Sequence, residues 1–185
     1  MVLGHDDFMD LICYVLGITM DSKLELKLVK KYPIIFRDYK GDMRKTCMAW
    51  GFCHADGWYK IIDDLCQDID KIIGKKDIKI IADQVKEKFG ALRFYYHLEY
   101  NPSFFSKICD GIRFFAYRHE WGIPYNKIRD FRKILFKSTI EKISDAVDIA
   151  EGKSSKTCEI CGEPGKQMGI GWIKTLCNKC NKEAK

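Results

Sequence analysis

The sequence predicts an α+β protein, with a mostly helical body that carries a β-hairpin and a C-terminal four-cysteine module of zinc-ribbon-like type. Three observations lead to this class. Apolar residues recur at helical spacing over 58–73, apolar and polar residues alternate over 92–100, and two Cys-x-x-Cys pairs stand near the C-terminus. We therefore divide the chain into a body, 1–152, that ends in a long helix, and a zinc-binding module, 153–185.

The first third of the chain predicts two helices followed by an irregular loop. Residues 5–17 place their apolar side chains on one face. Asp21 or Ser22 can cap the second helix, which Pro33 ends. The loop that follows is rich in turn-forming residues and predicts no regular element.

The clearest amphipathic helix of the sequence comes next. Asp56 is its predicted N-cap and Gly74 its stop, because a short carboxylate side chain can accept from the first free amides and glycine tolerates the helix-ending conformation. Its apolar stripe comprises Trp58, Ile61, Ile62, Leu65, Ile69, Ile72 and Ile73.

A change of period after Gly90 predicts a β-strand. Residues 92–100 alternate between apolar side chains and Arg93, Tyr95, His97 and Glu99, which is typical of a strand with one buried face. The preceding stretch, 78–88, is compatible with a strand or a short helix. We favour a strand that pairs with the next one through a turn at Gly90.

Two further helices are predicted before the cysteines. Ser103 can cap the first, which extends to about residue 120. The second spans about 125–151 and has a nearly heptad apolar stripe: Ile128, Phe131, Leu135, Ile143, Val147 and Ala150. Such a stripe can pack on the body or form a homodimer, and the sequence leaves both open.

Composition excludes some classes of protein and leaves others open. The net charge is +6, and the excess lies in 101–185, so a polyanionic partner is compatible with the chain but not required. No basic signal segment and no run of eighteen apolar residues occurs, which predicts a cytoplasmic protein without a membrane span. Nine cysteines in such a compartment indicate metal or redox chemistry rather than disulfides.

The cysteine spacing predicts one structural zinc ion per chain. Cys158, Cys161, Cys177 and Cys180 form two Cys-x-x-Cys pairs at the separation common in four-thiolate zinc sites. Four thiolates close the tetrahedral shell and leave no position for water or substrate, so this zinc is expected to hold the fold rather than to catalyse. Trp172, Ile173 and Leu176 are the expected apolar cover of the site.

Two other clusters are weaker candidates for metal binding. Cys47, Cys53 and His54 lie close together, but their five-residue gap is unusual for zinc, and buried cysteines with a loop histidine explain them better. Four acids could bind Mg²⁺ for nuclease chemistry, although a solvated helix face is the simpler interpretation: Asp63, Asp64, Asp68 and Asp70.

Basic and aromatic residues give the candidate ligand-binding surface. Cations and an aromatic ring would cluster around the predicted hairpin, a combination that suits nucleotide phosphates and stacked bases. The long helix adds a stripe of basic residues. This stripe could lie along a phosphate backbone, or it could be the solvent-exposed face of the helix. The candidate residues are Lys86, Lys88, Arg93, Tyr95, Arg129, Arg132 and Lys133.

Four segments together resemble a family of small, largely uncharacterised bacteriophage and prophage proteins: "KYPIIFRD", "GWYKIIDDLC", "QVKEKFGALRFYY" and "TCEICGEPGKQMGIGWIKTLCNKC". They cover under a third of the chain, and residues 101–135 look like an insertion in the pattern. The resemblance implies a phage context, the four cysteines as metal ligands, and no particular activity.

These observations favour a non-enzymatic intracellular binding protein that sequesters or blocks a target. No phosphate-binding loop, dinucleotide fingerprint or nucleophile-and-base set is present, so no enzyme class is assigned. In a phage context the target could be a nucleotide signal or a host defence protein. The alternative is a zinc-containing nucleic-acid-binding regulator, and a metal-dependent nuclease is a weaker third.

Overall fold

The protein has a mixed helical and β architecture, as its sequence predicts. The computed structural model describes residues 19–100, 125–169 and 172–183, and over 125–136 it describes the backbone alone. The predicted helices at 5–17 and 103–120 lie outside the described residues. Helices are α1 (Ser22–Lys31), α2 (Tyr59–Ile73), α3 (Tyr125–Ser154) and α4 (Asn178–Glu183), and strands are β1 (Phe52–Cys53), β2 (Ile78–Lys88), β3 (Ala91–Tyr100), β4 (Lys166–Met168) and β5 (Lys174–Leu176).

Of the two predicted helix N-caps, that of α1 is confirmed and that of α2 is wrong. Asp21 caps α1 as predicted, because its carboxylate accepts the backbone N–H of Lys23 at 2.8 Å. Asp56 does not cap α2, so that prediction is wrong. Its carboxylate accepts the N–H of Asp21 at 2.7 Å, and residues 56–58 form a separate 3₁₀ turn. At its other end α2 stops at Gly74 as expected, with φ +53°.

The main sheet has the order β1-β2-β3. β2 and β3 form the predicted antiparallel hairpin, and a bulge interrupts their register between Ala82 and Gln84. β1 was not predicted and pairs with β2 in parallel. It is only two residues long, so its periodicity is too short to detect, and its Phe52 N–H is also held by the buried carboxylate of Glu25 at 2.9 Å.

Helix α3 covers the outer edge of β3. The N–H groups of Leu92 and Phe94 point away from β2, and they donate to Ser154 Oγ at 2.8 Å and Glu151 Oε1 at 3.1 Å. Arg93 also pairs with Glu151, with Nη1 and Oε2 2.8 Å apart. An edge strand with unpaired amides invites association with other chains, and α3 satisfies two of these amides here.

The hydrophobic core lies between the sheet and helices α1, α2 and α3. Ile143, Val147 and Ala150 of the predicted stripe on α3 are buried in it, whereas the side chains of the stripe's first three residues lie outside the described part. Its largest fully buried members include Trp58, Phe36, Phe52, Leu28, Met48, Ile62 and Leu92. Within the described ranges no helix combines the length and apolar composition needed to cross a bilayer.

Candidate metal centre

The first cysteine pair lies in a tight turn directly after α3. The N–H of Cys158 donates to the carbonyl of Glu163 at 2.7 Å, and the N–H of Gly162 donates to the carbonyl of Cys158 at 2.9 Å. Gly162 has φ +79°, a conformation that glycine adopts without steric penalty. The turn folds back on itself and so holds the thiols of Cys158 and Cys161 at one end.

The second pair lies where β5 meets α4. Cys177 follows the last residue of β5, and the N–H of Cys180, in α4, points at its sulfur at 3.4 Å. This backbone hydrogen bond to Cys177 is the main reason that the pKa of its thiol falls to about 7. The local backbone therefore favours the thiolate at Cys177, which is the form that binds metals.

The four sulfurs come together as a possible metal-binding site. The Sγ atoms of Cys158, Cys161, Cys177 and Cys180 all lie within 4.8 Å of one another, and those of Cys161 and Cys177 are 3.7 Å apart. Among the described residues no other group of His, Cys, Asp and Glu side chains is arranged to hold a metal. The predicted clustering of these four cysteines is confirmed.

The apolar cover of the site differs from the prediction. Leu176 is only 5% exposed and packs with Met168 against Cys158 and Cys180, as expected for a covering residue. Trp172 is 46% exposed and does not cover the site, so that part of the prediction is wrong. It lies in the loop beyond the Met168–Lys174 pair, at the end of the β4–β5 hairpin away from the sulfurs.

Among the described residues, the turns of the module contact two turns of the body, of which the first is the Gly57–Trp58 turn. The N–H of Gly57 donates to the carbonyl of Glu159 at 2.7 Å, and Nε1 of the fully buried Trp58 donates to the carbonyl of Thr157 at 2.8 Å. A Cβ on Gly57 would lie 2.2 Å from the carbonyl oxygen of Cys158. Only glycine permits this approach.

The second attachment is the turn between β2 and β3. Gln167 Nε2 donates to the carbonyl of Phe89 at 3.1 Å, and Thr175 Oγ1 donates to the carbonyl of Gly90 at 2.5 Å. A Cβ on Gly90 would lie 3.1 Å from Cγ2 of Ile173. The tip of the β2–β3 hairpin is therefore in contact with the β4–β5 hairpin. The boundary between body and module at residue 152 stays a prediction.

A buried ion pair joins the first cysteine turn to β5. Glu159 is fully buried, and its Oε1 lies 3.1 Å from Nζ of Lys174. Its backbone N–H donates to the carbonyl of Thr175 at 2.9 Å. A buried carboxylate requires a partner of this kind, because desolvation without compensation is strongly unfavourable. Lys174 is thus a structural residue of the module.

The hairpin residues predicted to bind a ligand lie near one another but take part in internal contacts. Lys86 faces Arg93 across the strands and its Nζ lies 5.9 Å from the ring centroid of Tyr95. However, Lys86 is only 6% exposed, and Arg93 pairs with Glu151. Tyr95, at 42% exposure, and Lys88, whose Nζ is 5.8 Å from the ring of Phe89, have more accessible surface.

The remaining candidate site residues are the basic residues of α3, the group of Cys47, Cys53 and His54, and the acids of α2. Arg129, Arg132 and Lys133 lie on the helical backbone of α3, but their side chains lie outside the described part of the chain. Cys47 and Cys53 do not join His54 in any metal-type group of the described residues. The acids of α2 instead pair with neighbours: Asp63 with Lys31 and Tyr32, Asp64 with Lys60, and Asp68 with Lys71.

His54 is a core residue rather than an exposed ligand. It is fully buried between the rings of Phe52 and Trp58, and its Nδ1 lies 2.8 Å from the carbonyl of Ala55. Burial disfavours the charged imidazolium and lowers the pKa of His54 to about 4. It is neutral at pH 7.

Two polar clusters have no clear signal in the sequence. Glu25 sits on the buried side of α1, where it accepts the hydroxyl of Tyr39 at 2.6 Å as well as the Phe52 amide. His97 Nδ1 lies 2.7 Å from Asp83 Oδ1 on the sheet, at the bulge. The spacing of 14 residues between the members of each pair matches no motif, so only the fold reveals them.

Comparison of the chain with protein-family models, with curated proteins and with solved structures finds no match.

Proposed function

We propose that the four cysteines bind one zinc ion with a purely structural role. A tetrahedral zinc site with Zn–S bonds of about 2.3 Å has sulfurs about 3.8 Å apart, close to the 3.7 Å between Cys161 and Cys177. The hydrogen bond with the Cys161 thiol raises the pKa of Cys180, and burial and the other two thiols raise it further, so that without a cation the thiolate of Cys180 is disfavoured. A bound cation would reverse that effect. Four such ligands would leave no open coordination position for catalysis.

Elemental analysis tests the zinc proposal directly. Protein purified without added metal is expected to contain one zinc per chain, and Cys161→Ser should lower that content. Cys66→Ser is the matched control, because Cys66 is a buried core cysteine remote in sequence from the module. Iron or copper in place of zinc, or full zinc content in the Cys161 variant, would contradict the proposal.

We further propose that the protein is a non-enzymatic binding protein whose ligand is a nucleic acid or nucleotide, and that it acts by occupying this target. The observation that carries the proposal is the contact between the β2–β3 turn and the cysteine module. This contact joins the two basic and aromatic parts of the chain into one surface. The module alone has seven Lys and three Glu over residues 153–185.

An extended ligand fits the described hairpin better than a small one does. Lys86 is buried and Arg93 is paired, so two of the predicted hairpin cations offer little to a mononucleotide. Small ligands are usually enclosed by a pocket that covers most of their surface. A nucleic acid instead gathers many weak contacts along an open surface.

Salt dependence tests the nucleic-acid proposal. Binding to single-stranded and double-stranded oligonucleotides, followed by fluorescence anisotropy, should weaken steeply between about 50 and 200 mM salt because released counterions drive it. An affinity that is unchanged over this range, or no binding to any oligonucleotide, would contradict nucleic acid as the ligand. Calorimetry with cyclic and linear nucleotides then tests the capture of a nucleotide signal.

The biological setting is proposed from the resemblance alone. A phage-encoded binding protein would act in the host cytoplasm, where blocking a defence protein or removing its nucleotide signal are suitable roles. A nuclease using the acids of α2 is less favoured, since three of those carboxylates pair with lysines. Asp64→Ala with Asp68→Ala tests it, and a loss of metal-dependent DNA cleavage would support it.

A further inference from the structure

The turn between β2 and β3 presents an exposed aromatic ring on an unfavourable backbone. Phe89 is 63% exposed and has φ +55°, a left-handed conformation that bulky residues rarely adopt. Such a conformation is unfavourable for a residue with a bulky side chain, and the two-residue turn between Lys88 and Ala91 requires it at both Phe89 and Gly90. A solvent-exposed phenyl ring contributes little to folding here, so the core gives no reason for its position.

The surroundings enforce this turn from both sides. Glu87 Oε1 accepts the N–H of Gly90 at 2.5 Å, and Gln167 and Thr175 of the module donate to the two carbonyls of the turn. The contacts of the cysteine module therefore hold this turn in place, with Phe89 in solvent.

A second exposed aromatic residue lies on the adjoining turn. Trp172 is 46% exposed in the loop of the β4–β5 hairpin, and the next residue, Ile173, contacts Gly90. Phe89 and Trp172 thus stand on two turns that touch each other. Their exposure follows from this contact, because each turn is held at its base while its tip faces solvent.

Positive charge lies beside the turn that carries Phe89. Lys88 Nζ lies 5.8 Å from the ring centroid of Phe89, and Lys166 is exposed at the start of β4. Of the acids nearby, Glu159 is buried against Lys174, and Glu87 is half-buried and accepts the N–H of Gly90. Glu163 is exposed on the first cysteine turn. Lysines beside flat rings complement an anionic polymer with exposed bases.

We propose that Phe89 and Trp172 are stacking platforms for unpaired bases of single-stranded nucleic acid, with Lys88 and Lys166 contacting the adjacent phosphates. This inference rests on the proposed nucleic-acid function and narrows it to one ligand and one surface. A duplex keeps its bases stacked on one another, so it cannot use the rings in this way. Single strands are therefore preferred over duplexes of equal length.

The test measures binding of the full, metal-loaded chain to labelled oligothymidine of about 20 nucleotides and to a duplex of the same length. Phe89→Leu and Trp172→Leu each remove a ring but keep an apolar side chain. Each is expected to weaken single-strand binding about tenfold, because each loses one base–aromatic stack. Phe89→Tyr retains the ring and should restore binding.

Controls separate stacking from a loss of folding. Ile149→Ala removes a 58% exposed apolar side chain from α3 and should leave affinity unchanged. Metal content and circular dichroism of the leucine variants should match those of the parent protein. Oligothymidine should quench tryptophan fluorescence in the parent chain, and this quenching should be lost in Trp172→Leu.

The outcomes distinguish this inference from the function on which it rests. If the parent chain binds neither oligonucleotide, the proposed nucleic-acid function fails. If it binds them but the leucine variants bind equally well, or Phe89→Tyr behaves like Phe89→Leu, only the stacking surface is overturned. Equal affinity for the duplex and the single strand would also overturn it.

Discussion

At the scale of single residues, Gly57 and Trp58 explain why the segment "GWYK" has its particular composition. Gly57 lets the body approach the carbonyl of Cys158, and Trp58 donates its ring N–H to Thr157. Neither residue is a metal ligand, yet both contact the turn that contains two of the cysteines. Apolar spacing predicts Trp58 as part of the stripe of a helix. Its hydrogen bond to Thr157, 99 residues further along the chain, is visible only in the fold.

Replacing Gly57 with Ala should destabilise the protein by about 3 kcal/mol, because the new Cβ would overlap a backbone oxygen that cannot rotate away. Denaturant unfolding measures the change, and metal affinity should fall with it. Gly152→Ala is the matched control: no atom lies within 4 Å of its added Cβ, and alanine favours the helix by up to ~1 kcal/mol. Equal stabilities of the two variants would refute the close contact.

Buried His54 should make stability depend on pH. Its pKa is about 4 when folded against about 6.5 when unfolded, so the unfolded chain binds more protons between these values. Stability is therefore lost as pH falls through this window, by about 2 kcal/mol between pH 7 and 5. Urea unfolding of His54→Leu at both pH values should have a correspondingly smaller pH dependence. An identical dependence in both proteins would exclude His54 as the source.

At the scale of elements, α3 both contributes to the core and closes the sheet. Its apolar side chains pack inward, while Glu151 and Ser154 satisfy the outward amides of β3. The helix continues to Ser154, a few residues beyond its predicted end, and Cys158, the first cysteine of the module, follows four residues later. The edge of the sheet and the metal centre are thus positioned by the same helix end.

Ser154→Ala should lower stability by about 2 kcal/mol, since the buried N–H of Leu92 loses its acceptor. Hydrogen exchange of the Leu92 amide should accelerate in this variant. Ser155→Ala tests specificity, because the Ser155 hydroxyl, just beyond the end of α3, donates to the nearby carbonyl of Gly152, and its loss should change stability by less than ~0.5 kcal/mol. Exchange at Leu92 that is equally slow in both variants would contradict the capping role.

At the scale of the whole molecule, the cysteine module connects parts of the chain that are distant in sequence. It contacts the turn before α2 and the tip of the β2–β3 hairpin, about 100 and 80 residues earlier. From sequence we expect loss of the metal to unfold the module while leaving most of the body intact. The contacts extend this expectation to the two segments of the body that the module touches.

Removing the metal with a chelator, or with Cys161→Ser, should therefore expose the Gly57 amide to hydrogen exchange, because its acceptor lies in the first cysteine turn. The Tyr32 amide, bonded to Leu28 in α1, is the internal control and should remain protected. Protease should cleave the module in the metal-free protein. A Gly57 amide that is equally protected from exchange with and without metal would contradict the prediction that the metal-bound module holds the Gly57–Trp58 turn.

The sequence by itself determined the features that depend on near neighbours. Helical spacing predicts α2, alternation predicts β3, and the paired cysteines predict the four members of the candidate metal centre. Each of these signals is contained within a few turns or one repeated spacing. Local chemistry is enough to predict them.

Only the tertiary structure decided which surfaces of these elements are buried or paired and which remain exposed to solvent. It buried Lys86, paired Arg93 with Glu151, and left Trp172 in solvent where a cover was expected. The physical reason is that exposure depends on which distant segments pack together, and here the partners are 58 to 99 residues apart. No short pattern carries that information.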